Sequence, residues 1–266
     1  MDVQDTVRSH YSRAGLAEVV LDAVAAGGAD LDHLTADDLG SIDQLHHGGA
    51  AATGYLLDQL ALGPATRLLD VGGGLGGPAR LAATRYGCPV LSVDLSPDFV
   101  AAARTLTERV RLADRVQHVV ASADRLDAGT GTFERAMMVH VGMNLPDKAA
   151  VFAEVRRVLV EGALFGLFEQ VRTGPGELSY PLPWANDASS SFVVDLATLT
   201  ATLEAAGFSV ERTEERREIG PPPGSTGPQL NPGTVFGPGF AERIRNDIAA
   251  IQSGLLAPVV VLARAV

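Results

Sequence analysis

The sequence predicts an α/β fold built on a parallel sheet with helices on both faces, and three observations carry that prediction. From Arg67 onward, short apolar runs alternate with stretches of helical periodicity, the pattern of successive strand–helix–strand units. A glycine-rich loop joins the first apolar run to the first of these helices. The chain of 266 residues is 46% hydrophobic and 20% charged, enough apolar material to bury a sizeable core.

Residues 1–62 read as a polar-rich helical cap. Leu16, Val19, Val20 and Val24 form an apolar stripe at helical spacing, closed by Gly27-Gly28. A second helix runs from Ala50 to Leu62 and stops at Gly63-Pro64. Residues 63–266 form the sheet domain. Its first strand, Arg67–Val71, leads through glycines into a helix over Pro78–Tyr86. Val90–Val93 is the second strand, ahead of a helix presenting Val100, Ala103, Leu106 and Val110. Val116–Val120 is the third and Ala136–Val141 the fourth, followed by a helix with Phe152, Val155 and Leu159 on one side. Leu164–Phe168 is the fifth. An insertion over about 173–192 then carries Tyr180-Pro181-Leu182-Pro183-Trp184. A helix over Leu196–Ala206 ends at Gly207, a residue suited to a helix C-terminus, and Ser209–Thr213 is the sixth strand. In Gly220–Phe240, 12 of 21 residues are Gly or Pro, which reads as a long loop. It opens a second insertion, 220–253, whose helix over Ala241–Gln252 precedes a last strand, Val259–Leu262.

Charge and composition exclude several functions. The balance of 21 Lys+Arg against 32 Asp+Glu gives a net charge of −11, without the basic face a nucleic-acid binder needs. Aromatics at 5% supply little for base stacking. The single cysteine, Cys88, excludes an intrachain disulfide and a cysteine metal cluster. The N-terminus is acidic where a signal peptide is basic, and the longest apolar run, Leu255–Val266, is interrupted by Pro258 and Arg264. The expectation is a cytoplasmic protein that binds neither nucleic acid nor membrane, acts on a small molecule and is a monomer or homodimer.

The informative stretch is Asp70-Val71-Gly72-Gly73-Gly74-Leu75-Gly76-Gly77. At a strand-to-helix junction, glycines permit a sharp turn and close approach of a ligand. Gly72, Gly74 and Gly77 satisfy the G-x-G-x-x-G spacing, alone a weak signal. Asp70 lies two residues before the first glycine, where a carboxylate suits a cationic amine better than a pyrophosphate. Asp94, 24 residues later, ends the second strand where it can accept from ribose hydroxyls. Asp124 follows the third strand and can accept from an exocyclic adenine amine. His140-Val141-Gly142-Met143-Asn144 ends the fourth.

On these residues the chain resembles the class I S-adenosylmethionine-dependent methyltransferases, in a branch similar to sarcosine/dimethylglycine, tocopherol and sugar or macrolide tailoring enzymes. Leu45-His46-His47-Gly48-Gly49 and Pro181-Leu182-Pro183-Trp184-Ala185 add to the likeness, which runs from about Tyr11 to Val266. The usual Pro-Gly-Gly after the fourth helix is replaced by Val160-Glu161-Gly162-Ala163. The resemblance implies a Rossmann-like seven-stranded sheet, mostly parallel with the last strand antiparallel, under a helical N-terminal cap and an inserted lid. It implies S-adenosyl-L-methionine as cofactor and S-adenosyl-L-homocysteine as product. The cofactor would be held by Tyr11, Asp70, Gly72, Gly74, Gly76, Asp94, Leu95, Ala123, Asp124 and His140. The acceptor would be a small molecule, with nitrogen favoured over oxygen or carbon.

Methyl transfer from a sulfonium needs alignment and a dry pocket rather than a metal, and no metal is expected. A proton-bearing acceptor also needs a base. His140 is the first candidate; its other reading is packing against the cofactor. Glu169, at the end of the fifth strand, is the second candidate base and an alternative ammonium site, or else a cap for the next turn. His46, His47, Met143, Trp184 and Phe236 are assigned to the substrate. His46 and His47 better suit a helix start covering the methionine end, and the other reading of Trp184 is a core anchor. The 220–240 segment reads as a lid, a substrate wall or a dimer contact. Two competing functions stay open: an NAD(P)-dependent oxidoreductase, which Asp70 and the order of acids oppose, and a cofactor-binding cyclase or scaffold that transfers no methyl.

Overall fold

The computed structural model describes residues 15–40, 42–217, 233, 237 and 239–266. Tyr11, Phe236 and most of the 220–240 segment lie outside them. Three helices come first: α1 (Leu16–Ala26), α2 (Ala36–Leu39) and α3 (Gly49–Asp58). The sheet elements follow as β1 (Leu68–Val71), α4 (Gly77–Tyr86), β2 (Val90–Asp94), α5 (Pro97–Arg109), β3 (Val116–Val120) and β4 (Phe133–Val139). The chain closes with α6 (Lys148–Val158), β5 (Leu159–Arg172), α7 (Leu196–Ala205), β6 (Phe208–Glu215), α8 (Phe240–Gln252) and β7 (Leu256–Ala265).

The seven strands lie in the order β3-β2-β1-β4-β5-β7-β6. Pairing is parallel from β3 through to β5, and β7 runs antiparallel to both its neighbours. The mixed sheet expected from the resemblance is present. Strand order reverses between β1 and β4, which opens a crevice beyond their carboxyl ends.

Local chemistry explains the element starts. Ser96 accepts the Phe99 N–H and Pro97 opens α5, Asp147 accepts from Ala150 at the head of α6, and Asp195 accepts from Thr198 at the head of α7. The sheet is buried on both faces. Leu69, Val71, Phe152, Val155, Phe165 and Leu203 pack on one side, and Leu56, Leu57, Ala79, Ala82, Met137 and Phe168 on the other. Helix α1 joins through Leu16 and Val20 to Phe99 and Leu106 of α5.

Several boundaries differ from the sequence reading. The fourth strand ends at Val139, leaving His140 and Val141 in a turn, because His140 takes a left-handed conformation (φ 54°) that a strand cannot continue. Leu159 begins β5 rather than closing the preceding helix. The strands β5, β6 and β7 run longer than their apolar runs, since nine register pairs join β5 to β7 from Leu164 to Arg172. Backbone pairing therefore carries polar residues such as Gln170 into the sheet.

Candidate functional site

The crevice holds a cavity of about 220 Å³. Its floor is the turn after β1. Gly72 and Gly74 have φ of 74° and 53°, a region that favours glycine. A Cβ on Gly72 would lie 2.3 Å from Val141 Cγ2, and one on Gly73 1.9 Å from Ser92 Oγ. Close contact thus excludes a side chain at Gly72 and at Gly73, and the backbone of Gly72, Gly73 and Gly74 lines the cavity.

One end of the cavity is formed where β2 and β3 stop. Asp94 there accepts the Gly74 N–H at 2.9 Å through Oδ2 and the Ser96 N–H at 2.8 Å through Oδ1. Burial raises its carboxyl above the ordinary range while these donors oppose the rise. Leu95, Phe99, Ala123 and Asp124 complete this end.

The other end is built from β4, the loop before α3, the insertion and α8. His140 donates its backbone N–H to Phe168 O at 2.8 Å. Its ring stands 4.9 Å from that of Phe168 and 5.5 Å from that of His46, centroid to centroid. Its Nε2 is buried with no hydrogen-bond partner. Burial lowers the His140 pKa well below 6.5, reinforced by His46 and His47, and lowers His46 to about 4. His46 is pinned at both nitrogens: Nδ1 donates to His47 O at 3.1 Å, and Nε2 lies 2.9 Å from Thr53 Oγ1 and 3.1 Å from Gln44 Oε1. Trp184 packs with Met143 and Leu182, donates Nε1–H to Ser191 Oγ at 2.9 Å and lines the cavity. Helix α8 braces this wall: Arg243 donates to Leu182 O at 2.7 Å and Asn246 to Pro181 O at 3.0 Å.

The structure gathers Gly72, Gly74, Asp94, Leu95, Ala123 and Asp124 around the cavity, with His46, His140, Met143 and Trp184. Four expected residues are not among its lining. Asp70 sits behind the loop, accepting from Ser92 Oγ at 2.9 Å, with its pKa pushed up to about 7 chiefly by burial. Gly76 turns the chain into α4, where a Cβ would meet His118 at 2.5 Å. His47 does not line the cavity, and its Nε2 is buried without a partner. Glu169 is spent on backbone, accepting from Val141 at 3.0 Å and Gly142 at 2.9 Å; of its sequence readings, the cap on a turn describes it. Conversely, Asp43, Phe99 and Phe240 line the cavity without a motif to announce them, and Leu45, which opens the Leu45–Gly49 string, lines it without having been assigned to the site. The one available signal was the proximity of Asp43 to His46-His47. Among the described residues, no group of three or more His, Cys, Asp or Glu stands where it can hold a metal, and no helix is long and apolar enough to cross a membrane.

A sheet of this order, with a glycine turn after β1 and an acid ending β2, defines the Rossmann-like methyltransferase fold. Residues 69–167 match the family model described as a methyltransferase domain. The chain is 26% identical over 169 residues to the sterol 24-C-methyltransferase of Saccharomyces cerevisiae, covering 60% of this chain and 44% of that one. It is 27% identical over 200 residues to methyltransferase GfsG of Streptomyces halstedii, 69% of each. Its fold matches a geranyl diphosphate C-methyltransferase from Streptomyces coelicolor A3(2) with a TM-score of 0.71 at 17% identity, over 100% of this chain and 99% of that one. The chain spans less than half the length of the sterol relative.

Proposed function

We propose that this protein transfers the methyl group of S-adenosylmethionine to a hydroxyl of a small molecule seated at the His140 end of the cavity. The observation that carries the reading is the free Nε2 of His140 in the cavity wall, beside a His46 whose nitrogens are both engaged. The residues present fit the cofactor: Asp94 would accept from the ribose hydroxyls, Asp124 would face the adenine, and Gly72–Gly74 would admit close backbone approach, all of them lining the cavity. When bound, the cofactor supplies an electrophilic methyl on a sulfonium.

The chain's own groups then orient the acceptor, exclude water and receive a proton. A neutral imidazole of lowered pKa is a weak base. It cannot hold the proton of an alkylammonium, but it readily takes the far more acidic proton of an oxygen that has just gained a methyl. The resemblance points to an amine; the chemistry of His140 favours oxygen. The names of the sterol and geranyl diphosphate relatives favour carbon as a second reading, in which the same Nε2 receives the proton released from carbon.

Incubation with methyl-labelled S-adenosylmethionine and matched alcohol, phenol, amine and alkene panels, followed by mass spectrometry, tests the proposal. Label on oxygen is expected. Label confined to nitrogen or carbon overturns the acceptor assignment. Binding of NAD without binding of S-adenosylhomocysteine overturns the cofactor, and cofactor binding without any transfer restores the cyclase or scaffold reading.

A further inference from the structure

Asp43 lies on the loop between α2 and α3 and forms part of the cavity wall. Its Oδ2 accepts a hydrogen bond from Arg80 Nη2 at 2.7 Å, an ion pair whose side chains are 2% and 1% exposed. Arg80 is fixed in turn by Leu75 O at 2.6 Å and Thr107 Oγ1 at 3.0 Å, so the carboxylate is aimed by α4 and α5 together. The second oxygen, Oδ1, is buried and accepts from nothing. A Cβ on Gly77 would stand 2.6 Å from both Asp43 O and Oδ1, so the start of α4 is shaped around this carboxylate.

A buried carboxylate oxygen without a donor is costly and calls for an explanation in a native fold. The cavity supplies one. Its β2 and β3 end, with Asp94, suits ribose and purine, so the far end of the ligand falls toward the glycine turn, β4 and the loop carrying Asp43 and His46. That far end bears an ammonium. Asp70, expected from the sequence to receive it, is engaged by Ser92 and does not line the cavity.

We infer that Asp43, through Oδ1, accepts a hydrogen bond from the ammonium of the cofactor's aminobutyrate arm and is the residue that selects for that charge. The inference rests on the S-adenosylmethionine reading given above. Arg80 is then a positioning residue, holding one carboxylate oxygen so that the other is presented.

Calorimetric titration with S-adenosylhomocysteine and with its desamino analogue, the same thioether on a plain butyrate arm, tests this without turnover. Wild type is expected to prefer S-adenosylhomocysteine by about 10–100-fold, the range of a hydrogen bond to a charged group. Asp43→Asn is expected to lose that preference while binding the desamino ligand as before. Because Asp43→Asn leaves Arg80 buried without its counter-charge, the double variant Asp43→Asn/Arg80→Met is a second route to the same comparison. A variant that keeps the preference overturns the inference, as does equal weakening of both ligands or a wild type that binds both alike. A wild type that binds neither overturns the cofactor reading itself, which is a distinct result.

Discussion

Glu169 reaches from the end of β5 to accept the backbone N–H of Gly142 at 2.9 Å through Oε2, with the neighbouring Val141 N–H held by Oε1 at 3.0 Å. Both donors belong to the turn that follows His140. Burial pushes the Glu169 pKa up to about 7, against the opposing pull of these two donors and of Lys148. Glu169→Ala strips the turn of both acceptors, and by the cost of an unmade buried hydrogen bond it should lose about 1–3 kcal/mol of stability. Urea titration measures that loss. If Glu169 acts only by holding the turn, Glu169→Gln should recover much of the stability, and turnover with it.

His140→Ala should reduce kcat by about 100-fold or more, in the range of general acid–base contributions. The Kd for S-adenosylhomocysteine should stay within about 2-fold, a change below 1 kcal/mol. His140→Gln, which offers an acceptor but takes no proton, separates hydrogen bonding from base action in the same assay.

The pH profile follows from the same residue. The folded pKa of His140 lies well below 6.5, so the ring is already neutral throughout the range from pH 8 down to 6.5. Turnover should therefore be flat across that interval and fall only at lower pH, as the ring gains its proton. A fall centred near 6.5 would place the base at an exposed histidine instead.

Asp94 closes two backbone donors, those of Gly74 and Ser96, and so shapes the glycine turn as well as facing the cavity. Asp94→Ala should weaken S-adenosylhomocysteine by about 10–100-fold, equivalent to the loss of charged hydrogen bonds. Titration calorimetry reads it directly, and adenine alone should show a smaller loss than adenosine.

Asp247 of α8 is buried with Oδ1 unpaired, and burial alone lifts its pKa to about 7. Because the folded value lies above the unfolded one, the native state binds the proton more tightly between about pH 4 and 7. Stability contributed by this group is therefore full below pH 4 and declines as pH rises through 7. Asp247→Asn should equal wild type at low pH and exceed it by about 1–3 kcal/mol at pH 8, as an unpaired buried group predicts. Urea midpoints at the two pH values check the sign.

The strand-end acids show where sequence reading succeeds. Asp94 and Asp124 reach the cavity because they lie one and two strand–helix units beyond the glycine turn, lengths the chain displays locally. Asp70 and Glu169 also sit at strand ends, but alignment along the chain does not say which neighbour takes the carboxylate. Asp70 is in register with Ser92 across the β1–β2 pair and bonds to it. Glu169 is drawn to the turn beside β4 because parallel pairing sets β5 next to that strand.

The sequence by itself determined the alternation of strands and helices and the position of the glycine turn, since these rest on periodicities and spacings of a few residues. Tertiary structure alone decided which carboxylates face the cavity. The Asp43–Arg80 pair joins residues 37 apart across the cap and α4, and the isolation of His140 Nε2 depends on Phe168 and His46 closing around it. Desolvation and partnering set the chemistry of a titratable group, and both come from neighbours distant in the chain.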